Sequence, residues 1–348
     1  MMTALTKSYY VFILYIISKM CAREELMPAQ RRNAFLCRRF TPNTEVSIQE
    51  RYDVAINEHD SILTPEEIAI RAKGHEILFV SATERITTDL ITALSPSLQA
   101  IATLSVGFDH IDTETAQDYG IHVLNTPDVL SDACAEIALM LILNACRRGY
   151  EADRLVRSGD WQGWAPTQLL GKGLTGQRLG IFGMGRIGRC IAHRARNFGV
   201  SIHYHNRRRL DTTQEEGATY HDTLESLIQQ SDIFVISVPG APHLQGMIDE
   251  HRLSLLPSGA VLINISRGDL VDDEALLAAL DSGSVAAAGL DVFAGEPNVH
   301  PGYSKNERVF LTPHIGSATE ETRDAMGALL VEGLDAIHRG DRPANQVV

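Results

Sequence analysis

The sequence predicts an α/β fold in which helices cover parallel sheets, arranged as two doubly wound units. Three observations predict it. Short apolar runs alternate with helix-like stretches from Asn33 onward, and the alternation breaks once before restarting at Arg178. A Gly-x-Gly-x-x-Gly turn stands between an apolar run and a helical stretch in the second half. Strand–helix alternation of this kind builds parallel sheets, because the crossover helices must pack on the sheet faces. The length of 348 residues suits about two domains.

In chain order, Ala34–Cys37 and Tyr52–Asn57 read as strands. Pro65–Ala72 reads as a helix with acidic residues in its first turn, where they favour the dipole. Ile77–Val80 and Leu98–Leu104 are further strands. Asp132–Arg157 is the longest helical pattern and is almost wholly apolar over its first half, as expected of a helix buried between layers or at a subunit contact. Ser158–Gly176 then carries five glycines and two tryptophans and reads as a long surface segment between domains. The second unit runs through strands at Leu179–Phe182, Ser201–Tyr204, Ile233–Ser237, Ala260–Ile265, Ala287–Leu290 and Val309–Leu311. Helices are expected at Arg186–Phe198, Leu224–Gln230 and Asp272–Ser282.

Composition narrows the function classes. With 44% hydrophobic and 22% charged residues, the chain has a core and is not of the disordered or coiled-coil type. A formal charge of −13 argues against nucleic acid as a partner, since phosphate backbones need clustered cations. No apolar run approaches the roughly 20 residues of a membrane span. Cys21, Cys37, Cys134, Cys146 and Cys190 are scattered and form no CxxC pair, so neither a disulfide framework nor a metal site is expected, and a reducing cytoplasm is the simplest setting. Residues 1–31 stand apart: Tyr9–Ile17 is apolar and flanked by Lys7 and Lys19, which resembles a signal peptide. The SKMCAREE that follows lacks a small-x-small cleavage site. The segment is therefore read as an extension outside the fold, with Met27 as an alternative start.

Gly183-Met184-Gly185-Arg186-Ile187-Gly188 follows a strand and opens a helix. Its glycines permit a tight turn and close approach of a pyrophosphate, and the helix N-terminus supplies amide donors. The next strand ends in His205-Asn206-Arg207-Arg208-Arg209, where NAD binders usually place the carboxylate that bonds the ribose 2′-hydroxyl. Asn206, Arg207 and Arg208 would instead hold a 2′-phosphate, so NADP(H) is expected over NAD(H).

Three later strands end in polar residues: Asn264-Ile265-Ser266-Arg267-Gly268, Gly289-Leu290-Asp291 through Glu296-Pro297, and Thr312-Pro313-His314-Ile315-Gly316. Ligands of doubly wound sheets sit at the carboxyl ends of strands, so Arg267, Asp291, Glu296 and His314 are expected to converge there.

These blocks, with SVGFDHID (Ser105–Asp112), NTPDVLSDACAEIAL (Asn125–Leu139) and GLTGQRLGIFGMGRIGR (Gly173–Arg189), closely resemble the D-isomer-specific 2-hydroxyacid dehydrogenase family. The resemblance spans about residues 33–345. It implies two Rossmann-like domains with a cleft between them. The substrate domain would be discontinuous, residues 32–125 and 318–348, with a nucleotide-binding domain, 126–317, inserted. It implies hydride transfer between a nicotinamide cofactor and a 2-oxo or 2-hydroxy acid, with Arg267, Glu296 and His314 as the catalytic set. Arg267 would bind and polarise the substrate, His314 would exchange the proton, and Glu296 would hold the imidazole in its proton-carrying form. Ser105, Val106 and Gly107 would cradle the substrate carboxylate. Val238, Pro239, Ile265, Asp291 and Gly316 would line the cofactor, Asp291 at the nicotinamide amide.

Within the family, the HNRRR turn and the tryptophan segment look most like NADPH-dependent glyoxylate/hydroxypyruvate reductases. That implies a homodimer in which Trp164 borders the neighbouring subunit's pocket, with the apolar helix at the dimer contact. A 2-ketogluconate-type reductase, an NAD-dependent phosphoglycerate-type dehydrogenase and a non-catalytic corepressor-like nucleotide sensor are the alternatives. One departure from the family pattern is Gly240-Ala241-Pro242-His243, where Leu-Thr-Pro-Glu is more common.

Overall fold

The computed structural model describes residues 31–348 and contains two sheets, both wholly parallel. The expectations for the N-terminal extension and for Cys21 lie outside the described residues. The first sheet has five strands in the order β2-β1-β3-β4-β5: β1 Asn33–Leu36, β2 Asp53–Ile56, β3 Ile77–Val80, β4 Ala100–Thr103 and β5 His122–Leu124. β3 and β4 are buried throughout, as strands covered on both faces must be.

The second sheet has seven strands in the order β12-β11-β10-β9-β6-β7-β8: β6 Arg178–Phe182, β7 Ser201–His205, β8 Thr219–Tyr220, β9 Ile233–Ile236, β10 Ala260–Asn264, β11 Val285–Leu290 and β12 Val309–Leu311. The order reverses between β6 and β9, and such a switch point opens a crevice at the carboxyl ends of the strands.

Three elements tie the units together. The helix Ser131–Arg147 leaves the first sheet and buries Ala138, Leu141 and Ile142 in the core beneath β10 and β11. The last helix, Glu320–His338, returns to the first sheet and packs Met326, Leu330 and Leu334 among Ala34, Leu36 and Phe79. The C-terminal tail then clamps the β5 edge: Val347 N–H donates to Val123 O at 2.8 Å, and the Asn345 amide donates to Asn125 O at 3.0 Å. Tail pairing covers an edge strand that would otherwise expose unpaired backbone groups.

One expected element is corrected. Asp132–Arg157 is not a single helix. It breaks at Arg148, in the left-handed region at φ 55, and resumes as Gly149–Arg157. The apolar run ends at Cys146, and the second helix buries none of its residues, so nothing draws it along the first helix's axis. At Gly149 a Cβ would lie 2.0 Å from Asn144 Oδ1, so a larger residue at the bend would have to push the Asn144 amide aside. The elements missed, β5, β8 and the helices Pro42–Arg51, Thr88–Leu94, Thr113–Asp118, Thr212–Glu215, Glu250–Ser254 and Pro301–Lys305, are short or weakly patterned. Ser158–Gly176 has no regular structure, as expected, and leaves Trp161 51% and Trp164 82% exposed. Among the described residues no helix is long and apolar enough to cross a membrane, and Cys37, Cys134, Cys146 and Cys190 are free thiols.

Candidate active site

The glycine turn forms where β6 meets the helix Arg186–Ala195. Gly183 sits at φ +99, and a Cβ there would strike Ser237 O at 2.5 Å. At Gly188 a Cβ would meet Gly183 O at 2.3 Å, so helix and turn are packed too tightly for any side chain. Gly185, the residue before the helix, has nothing within 4 Å of a built Cβ. A tight turn, close helix packing and an open helix N-terminus together fit a dinucleotide pyrophosphate. Ile187 packs against core residues of both sheets, so it braces the turn between the two units. Val238 lies opposite: its carbonyl accepts from Ser266 Oγ, and its side chain would meet a Cβ at Gly183 at 2.8 Å. Pro239 follows it, and Ile265 N–H donates to Ile236 O at 3.4 Å.

The basic turn after β7 divides into two parts. Asn206 stitches the glycine turn in place, its Oδ1 accepting from Met184 N–H at 2.6 Å. Arg207 and Arg208 are exposed and make no ion pair among the described residues. Arg209, the third arginine of the turn, is not free: it pairs with Glu215 at 2.7 Å and lies over the Tyr220 ring. Glu215 also accepts from the buried Tyr204 hydroxyl at 2.6 Å, so this cation is spent on the fold. Arg186 is paired with Asp128.

Arg267, Glu296 and His314 come from the loops after β10, β11 and β12. Asn264 wraps the first loop, donating to Arg267 O at 2.8 Å and accepting from Ser266 N–H at 3.0 Å. Gly268 lets that loop touch the one carrying Glu296: a Cβ there would lie 1.9 Å from the Phe293 carbonyl carbon. Glu296 Oε1 accepts from Phe293 N–H at 2.9 Å, and Oε2 lies 2.8 Å from His314 Nδ1. Burial pushes the Glu296 carboxyl up, but the His314 hydrogen bond and charge, the Phe293 amide and the Arg267 charge outweigh it and hold the carboxyl below its ordinary range. An ionised carboxylate only accepts, so His314 Nδ1 carries a hydrogen and Nε2 is the nitrogen left for a ligand.

His314 sits at φ 53, an uncommon backbone for a residue with a Cβ. Asp291 holds it there. Its carbonyl accepts from His314 N–H at 2.8 Å, and its carboxylate accepts from Thr312 Oγ1 at 2.7 Å and Ile315 N–H at 2.8 Å. Burial pushes the Asp291 carboxyl up against those hydrogen bonds, and the residue is only 1% exposed. Gly316 lies against it, 3.3 Å from Asp291 Oδ2 to a built Cβ. Asp291 thus anchors the histidine loop, a role not foreseen from the sequence.

The loop after β4 meets this group from the first sheet. Ser105 Oγ donates to Gly107 O at 2.6 Å, and the Asn125 amide donates to Val106 O at 2.8 Å. Gly107 abuts Arg267: a Cβ would fall 2.0 Å from Nη2. Asp109 was not singled out from the sequence, yet it makes a paired contact with Arg267, at 2.8 Å to Nη2 and 3.3 Å to Nε. Beside it, His110 is buried against Thr103 Oγ1 at 2.9 Å, and burial lowers its pKa to about 4. Asp109, Asn125 and Asn264 all lie inside or beside the recognisable blocks. Asn264 stood out only as a polar strand end, and Asp109 and Asn125 had no signal beyond lying in those blocks.

Fold and site together define a dinucleotide-binding oxidoreductase. The family model for D-isomer specific 2-hydroxyacid dehydrogenase, NAD binding domain, matches residues 139–316. The chain is 38% identical over 294 residues to a glycerate dehydrogenase of Hyphomicrobium methylovorum, covering 84% of this chain and 91% of that one. It is 41% identical over 319 residues to a glyoxylate reductase of Thermococcus litoralis, covering 90% and 96%. Among solved structures, a Polaromonas protein assigned as a D-isomer specific 2-hydroxyacid dehydrogenase, NAD-binding, superposes with a TM-score of 0.88 at 62% identity, over 91% of this chain and 100% of that one. An NADPH-dependent glyoxylate/hydroxypyruvate reductase from Sinorhizobium meliloti, in complex with NADP and malonate, gives 0.82 at 35% identity, over 91% and 97%. The chain belongs to the D-isomer specific 2-hydroxyacid dehydrogenase family, and its cofactor is a nicotinamide dinucleotide.

Proposed function

We propose that this enzyme uses NADPH to reduce a small 2-oxo acid of the glyoxylate or hydroxypyruvate kind to the D-2-hydroxy acid. The observation that carries the reading is the 2.8 Å contact between His314 Nδ1 and Glu296, beside the Arg267 guanidinium. His314 Nε2 is the proton donor to the substrate oxygen, because Nδ1 is engaged by the carboxylate. Arg267 binds the substrate carboxylate and polarises its carbonyl. Val106 and Gly107 add backbone N–H groups, which have no acceptor among the described residues. When bound, the nicotinamide supplies the hydride, and Gly183, Gly185, Arg186, Ile187 and Gly188 seat its pyrophosphate.

Three observations support the finer points. Relatives named for glyoxylate reduction and for glycerate oxidation bracket the substrate class, since reducing hydroxypyruvate yields glycerate. Arg207 and Arg208 have free guanidiniums where a 2′-phosphate would lie, and one structural relative was solved with NADP. Residues 32–125 with 318–348 form the substrate domain, and 126–317 the cofactor domain. In a homodimer, Trp164 on its exposed arm reaches the pocket of a second copy.

The test is a panel of glyoxylate, hydroxypyruvate, pyruvate and 2-ketogluconate, each with NADPH and NADH. Turnover of the first two with NADPH is expected. Absence of turnover on any 2-oxo acid overturns the reaction, and a preference for NADH overturns the cofactor choice.

A further inference from the structure

Arg267 and Asp109 lie 158 residues apart in sequence, in loops from different sheets, yet their side chains meet edge to edge. The carboxylate takes one edge of the guanidinium, Nε and Nη2, while Nη1 donates to Ser266 O at 2.8 Å. Two glycines cut the slot that permits this pose. A Cβ at Gly107 would lie 2.0 Å from Nη2, and one at Gly240 would lie 2.9 Å from Arg267 Cγ and 3.5 Å from Asp109 Oδ2. Gly240 is also the first residue of the GAPH departure, so the departure falls at this contact.

We propose that Asp109 is a positioning and specificity residue: it turns the Arg267 guanidinium so that the end formed by Nη1 and Nη2 faces the substrate carboxylate, and its own charge restricts the site to 2-oxo acids whose tail is uncharged. The inference rests on the reading of Arg267 as the substrate-binding cation. Its physical basis is charge balance. Asp109 stays ionised at neutral pH: burial raises its carboxyl, but the Arg267 hydrogen bond and charge more than offset this. The neighbouring His110 adds no positive charge, since burial keeps it neutral near pH 7. Arg85, whose charge also reaches His110, is exposed and bonds neither Asp109 nor Arg267. One substrate carboxylate thus meets one half-neutralised guanidinium, and a second anionic group on the substrate meets the Asp109 carboxylate. Like charges brought together beside the half-buried Arg267 repel, and that repulsion discriminates against the doubly charged substrate.

The test compares hydroxypyruvate with oxaloacetate, whose tail carries a second carboxylate, in the wild type, Asp109→Asn and Asp109→Ala. In Asp109→Asn the ratio of kcat/KM for oxaloacetate over hydroxypyruvate rises about tenfold or more, carried by a lower KM for oxaloacetate, as removal of a repulsion worth about 1.4 kcal/mol would give. In Asp109→Ala, kcat with hydroxypyruvate falls about tenfold below that of Asp109→Asn, because the amide still holds the guanidinium and a methyl group does not. Cofactor titration by protein fluorescence checks that both variants fold. An unchanged ratio in Asp109→Asn overturns the charge claim, and equal kcat in the two variants overturns the positioning claim. Wild-type protein inactive on every 2-oxo acid overturns instead the function on which both rest.

Discussion

Ser105–Asp109, after β4, and the three loops after β10, β11 and β12 meet at one site, yet they bring different resources. The second sheet's loops bring side chains: Arg267, Glu296 and His314, each braced by a neighbour such as Asn264 or Asp291. The first sheet's loop brings backbone, a glycine that makes room, and one carboxylate against Arg267. On the proposed function, the contrast teaches that proton chemistry and substrate anchoring are assembled on one sheet, while the other sheet sets how the anchoring cation is presented. Parts on separate bodies can be joined and parted as the bodies move.

Perturbing each side separately tests this division. His314→Ala removes the proposed proton donor and lowers kcat by about 10²–10⁴-fold, the usual worth of general acid catalysis, measured in steady-state reduction. Near-normal turnover would place the proton donor elsewhere. Gly107→Ala pushes a methyl group into Arg267 from the other sheet and lowers kcat/KM about 100-fold, the scale of a misplacement near 1 Å. If it does nothing, the first sheet's loop is not in contact with the anchoring cation.

His110 gives a test of the first sheet that needs no activity. Its folded pKa, about 4, lies below the unfolded value, so on acidification the unfolded chain takes up a proton that the folded one refuses. Stability is therefore lost as pH falls, by about 2 kcal/mol between pH 7 and pH 5 from this group alone. In His110→Gln that increment of the urea-midpoint shift should disappear; equal shifts in the two proteins contradict it. On the second sheet, Arg207→Ala with Arg208→Ala raises the KM for NADPH about tenfold and leaves the NADH value nearly unchanged, as expected for loss of two phosphate contacts. An equal rise for both cofactors would assign these arginines to something other than the 2′-phosphate.

How much of this was legible follows the same divide. Most of the second sheet's strands are apolar runs followed by polar residues with distinctive chemistry, so all of them but the two-residue β8, the glycine turn and the catalytic candidates could be named from the sequence. The first sheet's contribution is mostly geometric. Nothing in an isolated aspartate signals that it will meet an arginine 158 positions away, and a three-residue strand such as β5 carries no periodicity. The helix break at Arg148 was missed because an apolar first half suggested continuity, although the charged second half had no core to enter. Arg209 looked like its two neighbours, and only the fold shows that Glu215 claims it.

The returning helix Glu320–His338 has a consequence for how the chain is made. Residues Met326 to Leu334 complete the core that begins at Ala34, and Asn43 bonds Asp324 across 281 positions. Closing so long a loop is entropically costly and slow. During synthesis the first sheet emerges early, with one apolar face lacking its cover, while the second sheet, continuous in sequence, folds as it appears. The first sheet is thus the last to be sealed, and a stop codon before Glu320 would leave that face open.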